Sequence, residues 1–247
     1  MKKAVRLDKF LANENIGSRK AVGALVRSGA VTVNGQAAKK ADQQIDADSD
    51  RICVNGTPVR YNAHTYIMLH KPAGVLTATR DSRAETVLDL LPPALRRRGL
   101  FPAGRLDKDT TGLLIITDDG GYAHRMLAPK SHVIKRYEAV LDLPAEAADK
   151  ARFAAGIESG PDCFAPALLE ISETDPHTVW VEIREGKFHQ VKRMFRACGK
   201  NVTALRRLSI GALRLDAALG PGEARILPEN EAMLVFVKDA EQIRRKA

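Results

Sequence analysis

The segment GRLDKDTTGLLIITDDG places four aspartates within thirteen positions, at 107, 109, 118 and 119, around an uncharged run from Thr110 to Thr117. Carboxylates at this density can hold a divalent cation, move a proton, attack carbon or simply close a turn. A glycine turn, a short buried strand and an Asp-Asp-Gly-Gly exit turn account for Asp118 and Asp119 without any chemistry. They account less well for Asp107 and Asp109, which precede the strand beside Arg105 and Lys108. A calcium loop would use Asp107, Asp109, Thr111, Gly112 and Asp118 at positions 1, 3, 5, 6 and 12. That match is partial: the last ligand should be a bidentate glutamate, Ile115 stands at the ninth position, and the flanks give no helix pair.

A second constellation lies in QVKRMFRAC. Val191, Met194, Phe195 and Cys198 fall at i, i+3, i+4 and i+7, the apolar stripe of a helix facing a core, with Gly199 as its stop. Lys192 then sits at the border of the stripe and Arg193 almost opposite it. A border lysine can lay its stem on the core and present its ammonium to a partly buried partner. Such a cation is what a shielded carboxylate needs, because burial alone raises its pKa and favours the neutral form.

Other chemistries lack their residues. There is no P-loop, no dinucleotide glycine fingerprint, no Cys/His cluster and no G-x-S-x-G nucleophile elbow. Cys53, Cys163 and Cys198 are far apart and odd in number, which suits core thiols in a reducing cytoplasm. No apolar segment follows Met1-Lys2-Lys3, and no stretch approaches the roughly 18 apolar residues of a membrane span. The expectation is a cytoplasmic protein, neither exported nor membrane-inserted, and monomeric for want of an interface signal.

The net charge of +9 draws polyanions. Residues 1–60 carry eleven Lys/Arg against six Asp/Glu, and residues 184–214 carry nine against one. Two separate basic surfaces point to a long anionic partner rather than a small phosphate ligand.

The elements that must position these residues can be read in outline. Leu7, Phe10 and Leu11 mark a short helix ended by Gly17; Ser18 caps a second, with apolar face Ala21, Val22, Leu25 and Val26, which Gly29 stops. VTVNG and ICVNG end strands in Asn-Gly, which tolerates the positive φ of a tight hairpin. Residues 57–65 read as a linker. From Tyr66 onward short strands dominate (YIMLH, VLTAT, GLLIIT, RYEAVLDL, HTVWVEI, MLVFVK), interrupted by helices. The fold class is α+β with a mixed, mainly antiparallel sheet, because βα alternation is missing.

The order helix, capped helix, basic residues and VTVNG resembles the αL-type RNA-binding module of a small-subunit ribosomal protein. RLDKFLA and SRKAVGALVRSGAVTVNG carry the likeness over about a quarter of the chain, which implies RNA contacts from Arg6, Lys9, Arg19, Lys20 and Arg27. GRLDKDTTGLLIITDDG resembles the signature of the pseudouridine synthases that modify ribosomal RNA, and KPAGVLTAT, KRYEAVL, EGKFHQVKRMF and RRLSIGALRLD continue the likeness in order.

The resemblance implies an RNA-binding module over 1–60 and a catalytic domain over 66–247, whose sheet is flanked by helices around a central cleft. It implies Asp107 as the catalytic carboxylate, Lys192 as its basic partner and Tyr137 stacking on the target uracil. Arg105 would enter the space left by the flipped nucleotide, with Lys71, Arg193 and Arg196 as further RNA contacts. No metal or other cofactor is implied. The implied partner is ribosomal RNA or a partly assembled small ribosomal subunit. EGKFHQVKRMF is closer to the members acting on small-subunit (16S) RNA than to those acting on the large subunit. The opposing class is a non-catalytic RNA-binding assembly factor, which would not need Asp107, Tyr137 and Lys192 together.

Overall fold

A computed structural model describes residues 4–14, 16–59 and 64–237. The chain divides into two units, 1–64 and 65–247. The first contains β1 (Ala4–Arg6), α1 (Leu7–Asn13), α2 (Arg19–Arg27), β2 (Val31–Val33), β3 (Gln36–Ala37), β4 (Gln44–Asp46), β5 (Ile52–Val54) and β6 (Thr57–Val59). The Ser18 hydroxyl caps α2 by accepting from the Ala21 N–H at 3.2 Å. Asn34 and Gly35 (φ 52° and 81°), and Asn55 and Gly56 (49° and 78°), form the hairpin turns of an antiparallel sheet ordered β3-β2-β5-β6. Leu7, Phe10, Leu11, Val22, Val26, Val31 and Ile52 are buried together, whereas Ala21, expected on the apolar face, is exposed. Thr57–Val59, expected as linker, is instead paired with β5; residues 60–63 lie outside the described residues.

The second unit contains β7 (Tyr66–Lys71), β8 (Phe101–Pro102), β9 (Thr111–Thr117), α3 (Gly120–Leu127), β10 (Lys135–Leu141), α4 (Ala147–Ala155), β11 (Ile157–Ser159), β12 (Asp162–Phe164), β13 (Leu168–Ile171), β14 (Thr178–Ile183), α5 (Gln190–Ala197), β15 (Val202–Ile210), β16 (Leu213–Arg214), β17 (Ala224–Ile226) and α6 (Glu229–Ala232). Its main sheet runs β13-β14-β10-β15-β9-β7-β17, with β16 on β15 and β8 on β9. Among the described strands of this sheet only β9 and β15 pair in parallel, with Arg207 opposite Gly112. The backbones come so close there that a Cβ on Gly112, whose φ is +104°, would lie 2.2 Å from the Arg207 carbonyl oxygen.

The unbroken apolar run of β9 follows from burial on both faces. Leu114 and Ile116 join one core with Tyr137, Ala139, Val181 and Phe195, while Leu113 and Ile115 join another with Tyr122, Met126 and Ile210. Each of these four β9 side chains contributes roughly 1.5–3 kcal/mol by leaving water. α4 and α5 supply Phe153 and Phe195 to the first core, and α3 supplies Tyr122 and Met126 to the second.

Two expected strands are absent. Within VLTAT only an isolated bridge forms, Leu76 to Thr86, because the chain leaves β7 through a Pro-Ala-Gly turn and crosses the loop bearing the aspartates. MLVFVK is a 3-10 turn over Met233–Phe236, its residues shared between the apolar core and carbonyls that accept from Ala212; Lys238 lies outside the described residues. Cys163, expected as a core thiol, is exposed, and Cys53 and Cys198 are half-buried. No described helix is long and apolar enough to cross a membrane.

Candidate active site

The aspartates separate into two pairs at opposite ends of β9. At the exit, Asp118 accepts from the Thr65 N–H at 2.8 Å, and Asp119 caps α3 through the Tyr122 N–H at 2.9 Å while accepting from the Tyr66 hydroxyl at 2.8 Å. These two are architectural. Seven extended residues stand between them and Asp107, a span on the order of 20 Å, so one calcium loop cannot collect them.

At the entrance, the loop from Arg105 to Thr110 is fastened twice. The Thr77 hydroxyl donates to the Leu106 carbonyl at 2.7 Å and accepts from the Leu106 N–H at 3.2 Å. Beneath Asp109, the buried Lys71 ammonium donates to the carbonyls of Pro72, Lys108 and Thr110 at 2.9, 3.2 and 3.0 Å. Burial pushes the Lys71 pKa down to about 8. Lys71 is thus a correction to the expected RNA contacts: its ammonium is consumed by loop carbonyls and faces no solvent.

α5 meets this loop from the other side. Its apolar stripe is buried at Val191, Met194 and Phe195, and half-buried Lys192 lies beside it as the periodicity predicts. The Lys192 ammonium is 3.2 Å from Asp107 Oδ2 and 2.5 Å from Asp109 Oδ1. That bond holds the Asp109 carboxyl below the usual carboxylate range. His189 stands at the N-cap with φ +50°, its Nε2 3.6 Å from Asp107 Oδ1.

Arg105, Asp107, Thr110, Tyr137, Ile183 and Leu205 line one open pocket together with Gly186, Lys187, His189, Gln190 and Val191. Its empty space, open mouth included, is about 410 Å³. Tyr137 reaches it from β10, and behind it the buried Arg207 donates from Nε to the Leu113 carbonyl at 2.8 Å and places Nη1 3.5 Å from the tyrosine hydroxyl. Arg207 Nη2 and Thr110 Oγ1 are buried without a partner. Nearby Lys135, also buried, is pushed down to about 8 by burial and by Arg207.

Asp107, Tyr137, Lys192 and Arg105 therefore converge. Arg196 is exposed on α5. Arg193 needs correction: its guanidinium donates to the Ser159 carbonyl at 2.8 Å, pairs with Asp162 at 2.7 Å and lies over the Phe164 ring, all within the protein. The 184–214 surface is correspondingly less basic than its composition, since Lys200 is paired with Asp149 and Arg207 is buried. In the first unit Arg6, Lys9, Arg19, Lys20 and Arg27 are all exposed, Arg6 in a two-pronged pair with Asp8. Sequence reasoning did not single out Asp109 as the second partner of Lys192, nor Thr77, Thr110 and Arg207. For Arg207 the only available signal was its alternation with Leu205 and Ser209 along one strand face.

Residues 65–197 match the family model described as RNA pseudouridylate synthase, and residues 5–52 match the S4 domain. The RNA pseudouridine synthase YtzG of Bacillus subtilis (strain 168) is 48% identical over 94% of this chain and 98% of its own length. The ribosomal small subunit pseudouridine synthase A of Escherichia coli (strain K12) is 40% identical over 92% of this chain and 98% of its own. A crystal structure of a pseudouridylate synthase superposes with a TM-score of 0.65 at 37% identity, covering 94% of this chain and 99% of that one.

Proposed function

The chain belongs to the RNA pseudouridylate synthase family, and from that premise we propose that it isomerises one specific uridine of small-subunit (16S) ribosomal RNA, with Asp107 as the catalytic carboxylate. The reaction breaks the bond from ribose C1′ to uracil N1, turns the base and rejoins it through C5, whose proton leaves while N1 takes one up. Atoms are conserved throughout.

The observation that carries the reading is one pocket lined by Asp107 and Tyr137, with the Lys192 ammonium held against Asp107. A uridine drawn out of its stack would enter over Tyr137, whose ring offers a stacking face. Asp107 would then act at the sugar, as nucleophile or as base, with the Lys192 ammonium 3.2 Å away as its counter-charge. Arg105, exposed at the rim, would fill the gap left in the RNA and so offset part of the cost of extrusion. The S4 domain adds a second basic surface through Arg6, Lys9, Arg19, Lys20 and Arg27, and Arg196 adds charge near the pocket. The small-subunit assignment is supported by the likeness to the ribosomal small subunit pseudouridine synthase A of Escherichia coli. The enzyme would work as a monomer in the cytoplasm, on RNA alone or in an assembling particle.

Base-resolution mapping of pseudouridine in transcripts and partly assembled subunits tests the proposal. Wild type should mark one uridine of small-subunit RNA, and Asp107→Asn should mark none while binding the same RNA. Equal conversion by Asp107→Asn overturns the catalytic assignment; a mark confined to large-subunit RNA overturns the choice of subunit.

A further inference from the structure

Phe188 is the most exposed large hydrophobic residue among those described, at 67%. Its ring stacks on His189, with centroids 3.8 Å apart and planes 17° from parallel. His189 belongs to the pocket wall and approaches Asp107, whereas Phe188 is outside the lining. One aromatic face therefore backs onto the pocket and the other is turned out of it.

The turn carrying the pair is held firmly. Gln190 Oε1 accepts from the Lys187 N–H at 3.0 Å, Gln190 Nε2 donates to Glu185 at 2.8 Å, and Glu185 accepts from the Ala165 N–H at 2.9 Å. The Lys187 ammonium is bonded to the Cys163 carbonyl. A ring presented on so well-braced a turn is pre-organised, so little ordering opposes its use. Around the pocket and this turn Arg105, Lys108 and Arg184 are exposed cations, which suits a polyanion carrying flat bases better than an apolar protein face.

We propose that the outward face of Phe188 is a stacking platform for the nucleobase adjoining the target uridine in the RNA strand. The inference rests on the reading that a uridine enters the pocket beside Asp107. With one base extruded, its neighbour loses a stacking partner at the pocket mouth, and the Phe188 ring replaces that partner. Stacking is tolerant of base identity, so the platform would favour an unpaired neighbour rather than a particular letter.

The test uses the full chain and a short RNA containing the mapped uridine. Steady-state kinetics compare wild type, Phe188→Leu and Phe188→Trp, on that RNA and on versions with an abasic residue on either side of the target. Phe188→Leu should lose about 5- to 150-fold in kcat/KM, carried mainly by KM, and Phe188→Trp should keep most of the activity. On the RNA lacking the stacked neighbour, wild type and Phe188→Leu should converge. Equal efficiency of wild type and Phe188→Leu on the intact RNA, or a loss that persists undiminished on both abasic RNAs, overturns the platform. A change in sedimentation with no change in kinetics also overturns it and assigns the ring to self-association. Failure of wild type to form pseudouridine in any ribosomal RNA overturns the underlying reading, and the platform with it.

Discussion

Asp107 and Lys192 come from a loop and a helix far apart in the chain, yet Oδ2 and Nζ lie 3.2 Å from each other. The same ammonium holds Asp109 more closely, at 2.5 Å, so one cation serves one carboxylate in the pocket wall and one outside it. Lys192→Met should lower kcat by about 10²-fold or more, because Asp107 then loses its counter-charge in a shielded setting. Asp109→Asn should cost less than about tenfold, since Lys192 still faces Asp107. Single-turnover formation of pseudouridine compares them; equal losses would mean that Lys192 acts through Asp109. The depressed Asp109 pKa gives the sign for acid: its ion pair is fully present above the ordinary carboxylate range and is lost as pH falls through the lowered value.

The parallel pairing of β9 with β15 depends on Gly112. Gly112→Ala would drive a methyl into the Arg207 backbone at a φ that alanine avoids, costing roughly 2–6 kcal/mol. Gly120→Ala, at the first turn of α3 where a Cβ meets nothing, should instead stabilise by up to about 1 kcal/mol. Thermal melts of the two variants should move in opposite directions.

Lys71 and Lys135 give a pH dependence at the alkaline side. Both are held near 8, against an ordinary value of 10.5. Between those values the unfolded chain keeps protons that the folded chain has released, so stability should rise with pH across that window. Urea unfolding at pH 7.5 and 9.5 should show wild type gaining more than Lys135→Met. Lys71→Met should also lose roughly 2–4 kcal/mol at neutral pH and much of its turnover, because carbonyls on either side of Asp109 lose their donor.

Thr110 carries a buried hydroxyl with no partner, three residues from Asp107 and on the pocket wall. Thr110→Val keeps the shape and removes that hydroxyl. Tm should stay level or rise, since an unsatisfied polar group is gone, while kcat/KM should fall about five- to tenfold if a bound nucleoside supplies the missing bond. An unchanged kcat/KM would remove Thr110 from substrate contact.

Local signals carried much of this architecture. Ser18 as a cap, the two Asn-Gly turns and the apolar stripe of α5 are set by backbone chemistry within a few residues, and the border position of Lys192 follows from that stripe. The family resemblance paired that lysine with Asp107, but its second contact, to Asp109, was not legible, because the two carboxylates are separated by one residue and only the turn made by Asp107 and Thr110 decides their directions. Lys71 and Arg207 read as surface cations, since nothing near them in sequence announces the carbonyls of Lys108, Thr110 and Leu113 that hold them inside. VLTAT has strand composition but lacks an adjacent strand to pair with, and VTALRRLSI hides a long strand because Arg207 finds its partner, the Leu113 carbonyl, only after folding.

The placement of one aspartate pair before β9 and the other after it makes that strand a beam worked at one tip and bolted at the other. Changes at Asp118, Asp119, Tyr66 or Tyr122 should alter how firmly the beam is seated without entering the reacting volume. A reporter group attached near the bolted tip can therefore follow unfolding of the catalytic unit while RNA occupies the working tip.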